Sequence, residues 1–300
     1  MARGERHAGG DGAAAQSGGG RSIASLEDPI EVMHRDKMAS VNQRELGTDT
    51  RDWATALKAA MRQDPDVILI GEMRDAETVK AALAAAETGH FVMSTLHTTD
   101  AKETVNRVID FFPPFEQKQV RLGLATSLRG IVCQRLMPRA DEQGRAVVME
   151  IAVNSPRLAE AIADPDRTDM IEDIIADGAY SGMQTFDQHL LRLVLDGTVT
   201  IRAAKLASSN THDFSVMLKR AGVDPVLVGR HDFSAFGGGE RQPIRTLHRV
   251  RVRRRGAQVT IEVPPLASTI QTLPSLSLTV SSSPSVNPFS CPFALKAIAR

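Results

Sequence analysis

The run Asp66-Val67-Ile68-Leu69-Ile70-Gly71-Glu72 constrains the fold of this chain more than any other stretch. Its aliphatic residues follow one another without a polar alternate, begin after Asp64-Pro65-Asp66 and stop at glycine. A segment of this kind is a short strand covered on both faces, and such strands belong to parallel sheets flanked by helices. The next residues agree. Asp75 to Glu87 sets Val79, Leu83 and Ala86 on one helical stripe, with Gly89 placed to end it. Phe91-Val92-Met93 gives a further strand. Asp100 and Glu103 have the spacing of a capping box opening a helix with the stripe Val105, Val108, Ile109 and Phe112. Strand, helix, strand, helix predicts a doubly wound α/β core.

Pro113-Pro114 stops that helix, and helical spacing resumes from 115 to 133 through Val120, Leu124, Leu128, Ile131 and Val132, which places Cys133 on a helix. Leu136-Met137 and Val147 to Val153 flank the polar Asp141-Glu142-Gln143-Gly144 as a hairpin. Beyond Pro156 the pattern is helical only, over Leu158 to Ala163, Met170 to Ala176, Phe186 to Leu195 and Ile201 to Ala207. The expected organisation is a Gly/Ala/Arg/Ser leader (1–21) without fixed structure, a partial α/β core (22–153), a small all-α subdomain (154–222) and a low-complexity, Ser/Pro/Arg-rich tail (223–300) also expected to be disordered. The folded part is then about 200 residues, an ordinary size for one or two domains.

Composition excludes little. Lys plus Arg (36) equals Asp plus Glu (36), so no global field draws the chain to nucleic acid or to an anionic membrane. Arg251, Arg253, Arg254 and Arg255 lie in a Ser-rich tail with no basic fold around them, so no nucleic-acid partner is expected. No apolar run reaches the roughly 18 residues of a spanning helix. The Arg-rich start lacks the apolar stretch and cleavage site of a signal peptide, and a cytoplasmic location is expected. The two cysteines, Cys133 and Cys291, suit a reducing compartment and cannot build a four-cysteine zinc module.

Several residues invite a chemical reading. Glu72 follows a buried strand, and in open α/β sheets ligands sit beyond the carboxyl ends of strands. There it could order water around Mg²⁺, or equally be a solvated loop acid. His90 and His97 bracket the strand Phe91 to Leu96. Taken alone, histidines on a core strand are satisfied core groups. Taken alone, Arg62 and Arg107 read as a solvated helix face or ordinary surface pairs.

Gly71-Glu72-Met73-Arg74-Asp75, then Ala86-Glu87-Thr88-Gly89-His90 and Ser94-Thr95-Leu96-His97-Thr98, resemble the Walker B and histidine boxes of the type II/IV secretion ATPase superfamily. Leu26-Glu27-Asp28-Pro29-Ile30-Glu31 with Val41-Asn42-Gln43-Arg44-Glu45 resembles its aspartate box. The resemblance implies a partial RecA-like P-loop NTPase core that binds ATP and Mg²⁺. It implies Glu31 as the carboxylate that positions the attacking water, Glu72 as the acid on the magnesium water shell, and His97 as a γ-phosphate sensor. Arg62 and Arg107 would be arginine fingers, and His90 and Arg74 structural or interface residues. It further implies a homohexameric motor at the inner face of the cytoplasmic membrane, working with an inner-membrane pilus platform protein.

The short polar stretch between Leu136 and Val147 holds no cysteine, so the tetracysteine zinc module usual in pilus-extension and type II secretion ATPases is absent. This favours similarity to the type IV pilus retraction ATPases of twitching motility. Gly182-Met183-Gln184-Thr185 resembles a motif of their helical part, opening a helix that Gln184 or Thr185 could cap; physics alone reads it as a turn and N-cap. The retraction-linked run near Pro156 is not kept, since this chain reads Arg157-Leu158-Ala159-Glu160-Ala161-Ile162-Ala163-Asp164. Nor do residues 1 to 22 contain the Gly-x-x-x-x-Gly-Lys-Ser/Thr loop whose backbone N–H groups and lysine cradle phosphates. Gly18-Gly19-Gly20-Arg21-Ser22 is not a substitute. The chain is therefore expected to be an incomplete copy of a motor, with a non-catalytic remnant or assembly subunit as the alternative and an extension or secretion ATPase as a third.

Overall fold

A computed structural model describes residues 20–223, together with the backbone of four further strands between 251 and 298. The leader up to residue 19 and the tail between those strands lie outside the described residues. Strand β1 (Ser22–Glu27) pairs in parallel with β2 (Ser40–Glu45) and with β3 (Val67–Ile70), and β3 pairs in parallel with β4 (Phe91–Leu96). Every residue of β3 is buried. Ile68 and Ile70 enter the main core with Val92 and Leu96, whereas Val67 joins Ile23 and Ala39 in a second cluster across the sheet. Full burial of each aliphatic side chain contributes about 1.5–3 kcal/mol, which is why a continuous run folds here and an alternating one does not.

Helices α1 (Trp53–Met61), α2 (Ala76–Glu87) and α3 (Ala101–Asp110) start at Asp52, Asp75 and Asp100, whose carboxylates accept from the N–H groups of Thr55, Thr78 and Glu103. Caps of this type are worth about 1 kcal/mol each. The expected box at Asp100 takes a variant form, with the Glu103 carboxylate reaching back to the Thr99 N–H at 2.6 Å. Neither α1 nor the edge strand β2 carried a distinct signal in the sequence.

The helical reading of 115 to 133 is corrected. Helix α4 (Pro114–Ser127) ends at Ser127, and Leu128–Pro138 form β5, antiparallel to β6 (Arg145–Val153). Leu128, Ile131 and Val132 suit either period, and the ladder to β6 decides. Gly130 permits it: a Cβ there would lie 2.9 Å from the Ala152 carbonyl oxygen. Cys133 is consequently a buried strand residue. The expected hairpin is present and longer than its flanking patterns suggested.

The tail also departs from expectation. Arg251–Arg255, Gln258–Glu262 and Ser277–Val280 are strands β7, β8 and β9 of an antiparallel sheet. Phe293–Ile298 is β10, which lies between β4 and β5 and is parallel to both, giving the order β2-β1-β3-β4-β10-β5-β6. Low-complexity composition did not preclude short strands, three of which pair with one another and one with the central sheet.

Helices α5 (Pro156–Ala163), α6 (Ile171–Asp177), α7 (Phe186–Leu195), α8 (Ile201–Ala207) and α9 (Thr211–Arg220) follow β6. Phe186 and Phe214, both almost fully buried, join the same core as the sheet. No described helix is long and apolar enough to cross a membrane.

Candidate functional site

The carboxyl ends of β1, β3 and β4 meet at one rim of the sheet. Gly71 donates to the Leu26 carbonyl at 2.7 Å, and a Cβ on it would come within 3.3 Å of that oxygen and 3.4 Å of the Glu27 Cα. Glycine thus lets the exit of β3 lie against the exit of β1. A shallow cleft opens there, lined by Glu27, Asp28, Pro29, Trp53, Gly71, Glu72 and Arg74. The Thr95 hydroxyl donates to the Gly71 carbonyl and the Met73 N–H to the Thr95 carbonyl at 3.2 Å, tying the same turn to β4.

Glu72 is held between an arginine and a histidine. Arg74 brings Nε and Nη2 each to 2.8 Å from Oε2, and the His97 Nε2 lies 3.3 Å from Oε1. The structure therefore joins Glu72, Arg74 and His97, residues from two sheet turns. The Glu72 side chain is 14% exposed while those of Arg74 and His97 are 53% and 48% exposed. With such solvated partners these contacts contribute little to stability, yet each carboxylate oxygen has a nitrogen partner that an incoming anion or hydrated cation would compete with.

Glu31 is half-buried in the loop after β1, outside the residues that line the cleft. That loop is pinned by β2: the Ile30 N–H donates to Glu45 at 3.0 Å, the His34 N–H to Gln43 at 2.6 Å, and the Gln43 side-chain amide to the Val32 carbonyl at 3.0 Å. The second half of the aspartate box thus holds the loop that carries its acid. Glu27 went unassigned in the sequence although it is the buried acid of the cleft, accepting from the Ser25 hydroxyl and from Gln43 at 2.9 Å. The criterion that selected Glu72, an acid at the carboxyl end of a buried strand, selects Glu27 equally well.

Arg62, Arg107 and His90 belong to the other end. Arg62 is the exposed C-cap of α1, ahead of β3, so the length of β3, about 13 Å at 3.3 Å per residue, stands between it and Glu72. Arg107 is exposed in the last turn of α3, about 10 Å of helix from the start of that helix, with its guanidinium 5.3 Å from the Phe111 ring. His90 Nδ1 lies 3.1 Å from the Ala85 carbonyl and 3.3 Å from the Thr88 hydroxyl, closing the end of α2.

Gly182 has φ +78° and ends a 3₁₀ turn (Gly178–Ser181), a left-handed position that favours glycine. Met183 is buried. Gln184 bridges β6 through Ile151 and donates to the Met149 carbonyl at 2.9 Å. Thr185 is the N-cap of α7, in a full capping box with Gln188. Arg135 of β5, unremarked in the sequence, donates to the carbonyls of Ala207 (3.1 Å) and Thr99 (3.3 Å), with its guanidinium 4.0 Å from the Phe186 ring. It straps the helices to the loop that follows His97.

The rim offers carboxylates and an imidazole to a hydrated cation, and among the described residues no cluster of His, Cys, Asp or Glu side chains is arranged to ligate a metal directly. The fit is to a water-mediated ion at Glu72, and no described loop carries the glycine-rich, lysine-bearing phosphate cradle.

An open, mostly parallel sheet with acids and a histidine gathered beyond the carboxyl ends of its strands defines an α/β protein of nucleotide-site architecture. Residues 15–180 match the family model described as type II/IV secretion system protein, and the chain belongs to that family. It is PilT-like within it. A twitching motility protein of Neisseria gonorrhoeae is 44% identical over 193 residues, which cover 64% of this chain and 51% of the relative. The type IV pilus retraction ATPase PilT of Pseudomonas aeruginosa is 43% identical, over 61% of this chain and 53% of its own length. The crystal structure of the pilus retraction motor PilT with bound ADP aligns with a TM-score of 0.57 at 42% identity, covering 64% of this chain and 54% of that one. The chain spans about half the length of the curated relatives it matches.

Proposed function

We propose that the chain carries the acid-bearing half of an ATP-hydrolysing motor of the type IV pilus machinery, working in pilus retraction and twitching motility. The observation that carries this reading is Glu72 held between Arg74 and His97 at the carboxyl rim of the sheet, in a chain whose relatives include a twitching motility protein and a pilus retraction ATPase. ATP with Mg²⁺, when bound, would supply the phosphoryl group and its charge neutralisation. Glu72 would fix the water shell of the ion, and Glu31 would orient or deprotonate the attacking water. His97, with its Nε2 3.3 Å from Glu72, would report on a terminal phosphate by exchanging its carboxylate partner for a phosphate oxygen. Arg62 and Arg107 stand at the far end of the strands, so as fingers they would serve the site of a neighbouring subunit in a homohexamer. His90, Arg74 and the Gly182–Thr185 turn would be structural or interface elements. The absence of cysteine in the β5–β6 turn supports retraction over extension or type II secretion. A platform protein at the inner face of the cytoplasmic membrane is the expected partner.

A second reading, a non-catalytic remnant or assembly subunit, is favoured by the lack of a phosphate-cradling loop among the described residues. Calorimetry of the purified chain with Mg·ATP separates the two. Saturable binding, with turnover lost in Glu72→Gln, supports the motor. No binding at millimolar nucleotide rejects it for this chain in favour of the second reading, and turnover unchanged in Glu72→Gln rejects the role given to Glu72.

A further inference from the structure

The central sheet has a position that its neighbours in sequence leave vacant. From β4 the chain passes through α3 and α4 and returns as β5, but β4 and β5 do not pair with each other. The crossover skips one strand position, and β10 occupies it. Val92 to Leu96 align with Phe293 to Ala297 on one side, and Gly130 to Gln134 align with Ala294 to Ile298 on the other. Without that strand, two inner edges would face each other at the centre of the molecule. With β10 in place, Val92 and Ser94 of β4 and Ile131 and Cys133 of β5 are all at most 1% exposed, and its removal would leave the facing N–H and C=O groups of both strands without main-chain partners. An unpaired buried N–H or C=O costs about 1–3 kcal/mol, so the gap demands an occupant.

We infer that the gap between β4 and β5 is a strand-binding site, filled by the chain's own Phe293–Ile298 and able to take that same segment from a separate molecule. Strand addition works mainly through main-chain hydrogen bonds, so it does not require that donor and acceptor be continuous. The connection from α9 to β10 is long. Its closure entropy grows only logarithmically with length, which favours the tethered strand through effective concentration without locking it in place. The composition of β10 points the same way. Where β3 reads Val-Ile-Leu-Ile, β10 reads Phe-Ala-Leu-Lys-Ala-Ile and puts a lysine in register with Thr95 and Val132. A central strand with an internal lysine pairs less strongly than one made wholly of aliphatic residues. Register also fixes the polarity of the occupant: Ala297 lies beside Leu96, so the strand's carboxyl end emerges at the rim that holds His97. The inference does not depend on whether that rim hydrolyses ATP.

The test uses the full chain and a fluorescently labelled synthetic peptide of residues 290–300. In the parent protein, the amides of β4 that are not bonded to β3, and those of β5 that are not bonded to β6, should be protected from hydrogen exchange, and the peptide should not bind. Leu295→Pro removes an N–H from β10 and breaks its ladder. Exchange at those amides should then rise at least tenfold. The labelled peptide should bind one to one and restore protection, whereas a peptide carrying the same proline should not. Rapid exchange in the parent, unchanged protection in the variant, or a folded variant that ignores the peptide would each overturn the inference. Should Leu295→Pro fail to fold, Lys296→Val is read instead: slower exchange at the same amides supports the strand's place in the gap, and unchanged exchange overturns it.

Discussion

At the carboxyl rim, Glu72 lies against an arginine and a histidine whose side chains are each about half exposed. At the junction of β6 with α3 and α7, the polar groups are enclosed. Glu150 is 6% exposed and accepts the Ala101 N–H at 2.8 Å, and His189 is 7% exposed with its Nδ1 accepting the Met149 N–H at 2.9 Å. Burial, reinforced by Asp100 and Glu172, raises the Glu150 carboxyl to about 7 despite the Ala101 N–H and Arg135, which act the other way. Burial, together with Arg192, lowers His189 to about 4 against the opposing Met149 carbonyl, 3.3 Å from the same Nδ1. The rim keeps its charges solvated and free to change partners. The junction opposes the charging of its groups and fixes them in place, and so should dominate stability while the rim dominates any chemistry.

The sharpest way to break that contrast is Phe186→Ala. It empties a buried site beneath the Arg135 guanidinium and should cost about 3–5 kcal/mol in denaturant unfolding. Titration comes next. The raised Glu150 pKa means that between about pH 4.5 and 7 the unfolded chain releases a proton the folded chain keeps, so stability falls as pH rises through that window. Glu150→Gln, which retains an acceptor for Ala101, should remove that slope and gain about 3 kcal/mol at pH 8. His189 acts with the opposite sign: the unfolded chain takes up a proton as pH falls from 6.5 toward 4, and stability is lost with it. The unfolding midpoint of the Glu150→Gln variant should therefore rise steadily from pH 4 to 6.5, where that of the parent is flattened by the two opposed slopes. Thr185→Ala removes the cap of α7 and should cost about 1 kcal/mol. Arg74→Ala should change stability by less than about 1 kcal/mol. If it proved as costly as Phe186→Ala, the rim would be structural and the contrast would fail.

Much of this was legible in the residues. The β3 run could be satisfied only by two covered faces, and the helices after it carried their own start signals in Asp75 and Asp100. Glu72 and His97 could be placed together because one follows β3 and the other β4, and adjacent parallel strands bring their ends to one rim. What failed to show was long-range. Leu128 to Cys133 fits a helix until the ladder to β6 is known. Arg135 owes its role to carbonyls and a ring supplied by distant segments. Glu27 was missed for a different reason, since a criterion applied to β3 was not applied to β1. β10 has no local feature that distinguishes it from the Ser- and Pro-rich sequence around it, and its pairing depends wholly on the strands it meets.

The position of β10 in the sheet also has a consequence in time. Leu96 and Ala297 are neighbours in space, so a ribosome finishes β4, both crossover helices, the hairpin and the whole helical subdomain before the strand that belongs beside β4 leaves the exit tunnel. Until then the nascent chain carries a cleft of open backbone in its middle, and non-local pairings of this kind form late. The interval between those two events is when the protein is most exposed to mispairing with other chains and most dependent on whatever shields it.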